Sequence, residues 1–204
     1  MLEQRIVPAV LAALILTGCR KPPPKVVVPA VFRVRFDTSK GPFVVEARRE
    51  WAPHGVDRFH ELVRIHYFDQ GRFFRVVPGF IAQFGVHRDF SVHEKWRELF
   101  IPDDPSVLKN LRGTLAFAMS GPQTRATEIF INLADNAVLD QQSFVPFAKV
   151  VEGMNVVDQF YAGYGEMRPE GKYIEPGRVE GEANEYLVQR FPKLDYTIKT
   201  TFLP

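Results

Sequence analysis

Short segments in which hydrophobic and polar residues alternate make up much of this chain, and they predict β-strands. Residues 31–37 (VFRVRFD) alternate regularly, and residues 43–50 (FVVEARRE) follow the turn residues SKGP. We therefore expect these two segments to form a hairpin. Other short apolar runs bounded by Gly or Pro predict further strands: RFFRVVP, GFIAQFG, GTLAFAMS, EIFINLA, FVPFAKVV and, near the end, LDYTIKTTF. So many short strands favour a mainly β barrel or sandwich.

A few segments with helical spacing lie between these strands. Residues 52–68 begin with a proline near the start and carry apolar residues three and four positions apart: Val56, Phe59, Leu62 and Val63. That spacing predicts a helix with one buried face. Residues 153–165 predict a second, short helix closed by glycines, and residues 180–192 a third. The polar, irregular segment after Gly85 predicts only a helical turn near residues 94–100.

The first eighteen residues differ from the rest in being apolar and lacking alternation. Arg5 precedes an apolar run that is too short to span a bilayer and is typical of a signal peptide. Leu16-Thr17-Gly18-Cys19 resembles the lipoprotein signal, in which the cysteine is lipidated and becomes the first residue. The alternatives are an ordinary secretory signal or an N-terminal helix with an incidental cysteine. We expect residues 1–18 to be a lipoprotein-type signal peptide.

The proline-rich segment that follows predicts a spacer. Residues 19–30 contain three consecutive prolines, which favour a stiff, extended chain without internal hydrogen bonds. We expect this tether to join a membrane surface, bound through lipidated Cys19, to one folded domain at residues 31–204. The corresponding location is the bacterial cell envelope, with the domain facing the periplasm or the exterior.

Composition narrows the classes of function. The chain is 46% hydrophobic and 25% charged with a net charge of +2, which fits a globular domain and gives no indication of nucleic-acid binding. A single cysteine excludes an intrachain disulfide. The five histidines form no recognisable metal-binding motif, Ser120 lies in no nucleophile elbow, and no Gly-rich phosphate loop is present. We therefore expect no metal and no cofactor. Eighteen phenylalanines indicate a core or cleft built from aromatic rings.

One polar pair within an apolar stretch is a candidate for chemistry. In RFFRVVPGFIAQF, alternation puts Arg75 on a face with Phe73 and Val77, and Gln83 on a face with Ile81. If the two runs pair, arginine and glutamine can share an apolar groove, which is costly for a charge without partners. The alternative is an arginine at a sheet edge that extends its guanidinium into water. Alternation alone leaves both open.

Four blocks in order, FFRVVPGFIAQFG, GTLAFAMSGPQTRATEIFINL, LD and FAKVVEGMNVVDQF, resemble the signatures of cyclophilin-type peptidyl-prolyl cis–trans isomerases. The resemblance runs from about residue 31 to residue 160, with the strand near Tyr196 closing the barrel. It implies an eight-stranded antiparallel barrel capped by two helices, to which the sequence adds a C-terminal helix.

The resemblance also implies the site. The family's catalytic arginine and groove glutamine fall on Arg75 and Gln83. Substrate-binding positions fall on Phe80, Ile81, Ala118, Met119, Glu128, Phe130 and Leu139.

This sequence departs from the family pattern at several of the matched positions. Glu128 stands where glutamine is common, and Met119 where many members have asparagine. Val138 replaces a frequent tryptophan, and Ser143 or Phe144 lies where histidine is common. These departures leave the arginine and the apolar pocket in place but alter the rim of the groove.

The resemblance implies isomerisation of X–Pro bonds in unfolded or loop segments of proline-containing polypeptides. Two other classes remain open: a peptide-binding or chaperone module that has lost turnover, and an envelope scaffold that uses residues 168–192 as its contact. The sequence gives no indication of oligomeric state.

Overall fold

The computed structural model describes residues 27–168 and 174–204. The signal-like segment, Cys19 and most of the tether lie outside the described residues. The strands are β1 Val31–Thr38, β2 Gly41–Arg48, β3 Arg75–Val77, β4 Ile81–Phe84, β5 Thr114–Phe117, β6 Ile129–Asn132, β7 Pro146–Glu152 and β8 Thr197–Leu203. The helices are α1 Pro53–Arg64, α2 Phe90–Trp96, α3 Ala137–Gln141, α4 Met154–Val157 and α5 Pro176–Arg190.

The eight strands form one antiparallel sheet in the order β3-β4-β6-β5-β7-β2-β1-β8. Its two ends approach each other at a bridge between Arg72 and Tyr196. Two backbone hydrogen bonds hold that seam, from Phe73 N to Asp195 O (2.9 Å) and from Thr197 N to Gly71 O (3.0 Å). The sheet therefore curves into the barrel-like form that the resemblance predicted.

Strand positions follow the alternation in the sequence, with one correction. Every strand segment predicted above contains a strand in the structure, but regular β3 begins only at Arg75. The chain before it is irregular, so Phe73 does not share the face of Arg75 as predicted. Phe73 is fully buried in the barrel, where its ring stacks on Phe160 with centroids 4.0 Å apart. Period-two alternation holds only where the backbone is regularly extended.

The helices are more numerous than the sequence predicted. The predicted helices correspond to α1, α4 and α5, although α4 spans only four residues. In addition, α2 begins and ends four residues earlier than the helical turn expected near residues 94–100, and the short α3 had no periodic signal. In α1 the predicted apolar positions are all buried, and α1 packs on β2, β7 and β8. None of the helices among the described residues is both long enough and apolar enough to span a membrane.

Aromatic rings fill the barrel. Eight phenylalanines with no more than 2% of their surface exposed contribute to one cluster: Phe36, Phe43, Phe59, Phe68, Phe73, Phe84, Phe117 and Phe147. Neighbouring rings lie at centroid distances typical of stacked and edge-to-face pairs, as for Phe36 with Phe43 (4.8 Å) and Phe68 with Phe84 (5.4 Å). This rigid core holds the outward-facing residues of the sheet in fixed positions.

A second apolar cluster lies outside the barrel and joins the C-terminal segment to the sheet. Helix α5 contributes Val179, Tyr186 and Leu187, which pack against Phe74 and Val86. Helix α5 also packs on α2. The cluster therefore places the segment after α4 beside the β3–β4 hairpin.

Candidate active site

The β3–β4 hairpin places Arg75 directly opposite Gln83. The turn is Val77-Pro78-Gly79-Phe80, closed by a hydrogen bond from Phe80 N to Val77 O (3.0 Å). Proline at the second position and glycine with φ of 72° at the third fit a type II turn. This turn fixes the strand register, in which Arg75 pairs with Gln83.

The two faces of the hairpin have different roles. Val76 and Ala82 are buried in the barrel core, whereas Arg75 and Gln83 lie on the outer face. The registers continue this outer row across the sheet, from Gln83 to Phe130 and from Phe130 to Ala116. A polar pair and an apolar floor thus lie side by side, as predicted for a groove. The Arg75 side chain is 21% exposed and has protein partners, so it is not an edge arginine extending into water.

An apolar cavity of about 220 Å³ lies on this row. Eight of the predicted site residues line it: Arg75, Phe80, Ile81, Gln83, Ala118, Met119, Phe130 and Leu139. Ile81, Phe130 and Leu139 are nearly fully buried and belong to one cluster with Ala116. The cavity is therefore an apolar pocket with one charged side chain in its wall.

Side-chain amides hold the rim of this pocket. Asn136, at the start of α3, donates to Phe80 O (2.8 Å) and to Asn132 Oδ1 (2.7 Å). The same carbonyl of Phe80 accepts from Leu133 N (2.8 Å). These bonds fix Phe80 on one side of the pocket and α3, which carries Leu139, on the other.

Three lining residues were not among the predicted site residues: Gln142, Phe144 and Met167. The sequence left Ser143 and Phe144 as alternatives for one rim position, and the structure places Phe144 there, edge-on to Phe130 at 5.5 Å. Ser143 has a φ of 63° just after α3, which turns the chain back toward the pocket. Met167 comes from the segment after α4, where no sequence pattern indicated a site.

Polar contacts link Arg75 to Glu128 through Gln83. Arg75 Nη1 donates to Gln83 Oε1 (3.1 Å), and Gln83 Nε2 donates to Glu128 Oε2 (2.7 Å). A carboxylate only accepts hydrogen bonds, so Glu128 fixes which end of the glutamine amide faces Arg75. We call these two hydrogen bonds the relay; they orient the side-chain carbonyl of Gln83 toward the guanidinium of Arg75.

Glu128 occupies an unusual environment for a carboxylate. Burial raises its pKa to about 7, and the hydrogen bond from Gln83 offsets only part of that effect. The backbone at Glu128 packs closely against Gly85, whose φ is 117°. A Cβ atom at Gly85 would lie 2.7 Å from the Glu128 Cα. Glu128 lines a second cavity and accepts from Gln83, and no hydrogen bond or ion pair joins it to Arg125. It does not pair directly with Arg75 either.

Glu166 is a further residue beside the site that the sequence did not indicate. It accepts two hydrogen bonds from Arg75, from Nε to Oε1 and from Nη2 to Oε2, the latter at 2.7 Å. Burial alone would raise the pKa of Glu166, but the hydrogen bonds and charge of Arg75 outweigh it and hold that pKa below its usual range. The pair is bidentate, the geometry that guanidinium and carboxylate favour.

A larger cavity of about 440 Å³ adjoins the apolar pocket. The two share Gln83, Ala118, Met119 and Met167. Glu128, the remaining predicted site residue, lines this second cavity rather than the pocket. The two cavities are therefore continuous along these shared residues.

The arrangement supports noncovalent chemistry on an amide. Arg75 has five N–H donors, of which Glu166 and Gln83 engage three, so one remains on each Nη. These donors belong to a side chain that lines an apolar pocket of the size of a small ring. Within the described residues, no group of three or more His, Cys, Asp or Glu could hold a metal ion.

Comparison with known proteins identifies relatives over most of the barrel. The family model "Cyclophilin type peptidyl-prolyl cis-trans isomerase/CLD" matches residues 33–178. Peptidyl-prolyl cis-trans isomerase A of Dickeya dadantii is 34% identical over 166 residues, covering 78% of this chain and 84% of the relative. Peptidyl-prolyl cis-trans isomerase B of Escherichia coli is 32% identical over 134 residues, covering 62% and 82%.

Solved structures agree on the fold. The crystal structure of a cyclophilin-type peptidyl-prolyl cis-trans isomerase from Cryptosporidium parvum superposes with a TM-score of 0.63 at 20% identity, covering 85% of this chain and 98% of that one. A second structure of the same protein, obtained in the presence of the dipeptide Ala-Pro, gives a TM-score of 0.62. At this identity the likeness concerns the fold.

Proposed function

The chain belongs to the cyclophilin-type peptidyl-prolyl cis-trans isomerase family, and we propose that its groove catalyses rotation about X–Pro bonds in unfolded or loop segments of proteins. The observation that carries this proposal is the position of Arg75. Its guanidinium lies in the wall of an apolar pocket that Phe130, Leu139 and Ile81 line. The pocket fits a proline ring, and the guanidinium can reach the amide beside it.

The reaction needs little more than this arrangement. Rotation about the peptide bond has a barrier of roughly 18–20 kcal/mol because resonance is lost in the twisted state. The uncatalysed X–Pro reaction takes tens to hundreds of seconds. A catalyst must bind the twisted amide more tightly than either planar isomer. No covalent intermediate is needed.

Each part of the groove has a role in that scheme. The apolar pocket holds the proline ring by contact, so that rotation occurs on the other side of the bond. Arg75 donates toward the amide, which favours a pyramidal nitrogen and thereby weakens resonance. Gln83 holds the guanidinium from the side of β4, which limits the geometries that Arg75 samples.

Isomerase activity is tested with the full chain and Ala-Pro tetrapeptides, by exchange NMR or a protease-coupled assay. We expect acceleration of the cis–trans interconversion that is proportional to enzyme concentration. Peptide binding without acceleration would contradict the proposal and favour the rival function, a binding module with the same groove.

We also propose that the domain is attached to the bacterial envelope by lipid at Cys19, facing the periplasm or exterior. The support is the segment Leu16-Thr17-Gly18-Cys19 after an apolar run and the proline-rich spacer that leads to β1 at Val31. Labelling with an alkyne fatty acid in a bacterial host, followed by membrane fractionation, tests it. The wild type should incorporate label and sediment with membranes, and Cys19→Ala should do neither. Equal labelling of both would contradict lipidation at this cysteine.

A further inference from the structure

The chain between α4 and α5 lies across the side of Arg75, and its contacts tie it to the rest of the molecule. We name residues 161–168 the strap. At its start Tyr161 N donates to Asp195 Oδ2 (2.7 Å), and Asp195 in turn accepts from Ser39 Oγ (2.6 Å). Further along, the Tyr164 ring packs edge-on against Phe191 at 4.9 Å.

The far end of the strap is fixed as well. Met167 packs against the C-terminal apolar cluster, and Arg168 N donates to Ile174 O (3.0 Å). Glu166 is therefore held between two anchored points, and its carboxylate also accepts from Met167 N (3.0 Å). A carboxylate held in this way presents a defined geometry to its partner.

Glu166 lies beside the pocket and not in it. Arg75 lines the apolar pocket, as does Met167 of the strap, but Glu166 does not. The carboxylate engages Nε and Nη2, Gln83 engages Nη1, and one N–H on each Nη remains. Glu166 and Gln83 thus engage the guanidinium from two sides, while the side chain still borders the pocket.

We propose that Glu166 is a positioning residue for catalysis, which holds the Arg75 guanidinium in the orientation that donates to the substrate amide. This inference rests on the proposed function. An arginine has several rotatable bonds, and each one left free must be ordered when the twisted amide forms. Three hydrogen bonds to strap and sheet order it beforehand, which is how a supporting residue raises the rate without touching substrate.

The same geometry predicts which kinetic constant changes. The peptide contacts the apolar pocket and not Glu166, so loss of the carboxylate should leave KM nearly unchanged. The orientation of Arg75 matters most in the twisted state, so kcat should fall. A strap that only stabilised the fold would change neither constant in a folded variant.

The test compares Glu166→Ala and Glu166→Gln with Glu182→Ala in the full chain, using kcat and KM from an Ala-Pro peptide and the NMR signal of Arg75 Nε–H. Glu182 is the matched control, because it pairs with exposed Arg178 on α5 and does not contact Arg75. We expect Glu166→Ala to lower kcat about tenfold, with KM within about twofold and the Nε–H signal broadened or lost. Glu166→Gln keeps one acceptor, so its kcat should lie between those of Glu166→Ala and the wild type. Glu182→Ala should match the wild type.

Two results would overturn the inference. A rise in kcat/KM for Glu166→Ala would mean that the carboxylate competes with substrate for Arg75. Unchanged kcat together with an unchanged Nε–H signal would mean that Glu166 has no influence on the guanidinium. A wild type without turnover overturns the proposed function instead, and the Nε–H signal alone then decides whether Glu166 orders Arg75.

Discussion

Arg75 and Arg125 are both arginines in apolar surroundings, and their environments differ in ways that assign them different tasks. Arg125 is 1% exposed. Its guanidinium faces Asp104 (3.1 Å), Asp103 (3.3 Å) and the carbonyl of Pro102. Arg75 is partly exposed, borders a cavity and keeps two N–H donors that no described residue engages. A fully buried arginine paired with a fully buried carboxylate stabilises a fold, whereas one with free donors beside a pocket can act on a ligand.

The Arg125 network extends to helix α1. The first turn of that helix has no side-chain cap of its own. Asp104 takes that place from a distant loop, accepting from His54 N (2.9 Å) and Gly55 N (2.8 Å). Arg125 in turn neutralises Asp104, whose side chain is fully buried. The network therefore fixes the loop to the helix.

The largest expected effect on stability is that of Arg125→Ala. Removing the guanidinium leaves the Asp104 carboxylate buried without its partner, which typically costs about 3–5 kcal/mol. Urea unfolding measures the loss. Arg49→Ala is the control, because its pair with Asp57 is exposed to solvent and its loss should change the free energy of unfolding little. A stable Arg125→Ala variant with reduced kcat/KM would contradict the assignment of Arg125 to the stability of the fold.

Phe130→Leu tests the pocket beside Arg75. A smaller side chain in an apolar binding pocket typically costs 10- to 200-fold in specificity, and we expect about a tenfold loss of kcat/KM, carried largely by KM. Ile131→Val, on the opposite face of β6 in the barrel core, should cost about 0.5–1.5 kcal/mol in stability and leave KM unchanged. An equal rise of KM in Phe130→Leu and Ile131→Val would mean that the groove face and the core face of β6 do not have separate roles.

Glu128→Gln tests the far end of the relay from Arg75. An ionised carboxylate can only accept, whereas glutamine and the protonated acid can also donate to a substrate carbonyl. We expect kcat/KM of the variant to exceed the wild type several-fold above pH 8. Wild-type activity should rise as the pH falls through about 7. Identical, flat profiles for both proteins would make Glu128 a bystander.

The smallest effect concerns stability against pH. Burial raises the pKa of Glu128 to about 7 in the fold, above the ordinary value in the unfolded chain. The protonated Glu128 carboxyl therefore stabilises the folded state fully below about pH 4.5, and this stabilisation is lost as the pH rises through 7. Nearby Arg75 opposes this effect and Glu180 adds to it. The free energy of unfolding of Glu128→Gln minus that of the wild type should grow by about 1 kcal/mol between pH 5 and pH 8. A constant difference would contradict it.

Much of this comparison was accessible from the sequence. Alternation put Arg75 and Gln83 into one groove only on the condition that the two runs pair, and the resemblance assigned both residues to the site. The register that sets Arg75 opposite Gln83 is a finding of the structure. Local patterns could not distinguish Arg125, because its partners lie on a loop without periodicity. They could not find Glu166 either, since it reaches Arg75 from 91 residues away through the packing of the C-terminal cluster. Tertiary contacts of that kind leave no trace in local sequence.

In the mechanism proposed above, Arg75 acts on the amide and not on the fold or on binding. Exchange NMR on an Ala-Pro peptide measures dissociation constant and turnover in one sample, and urea unfolding of the same protein measures stability. For Arg75→Ala we predict a loss of turnover of about 10²–10³-fold, a dissociation constant within a few-fold of the wild type, and a nearly unchanged free energy of unfolding. Undiminished turnover in the folded variant would contradict the account.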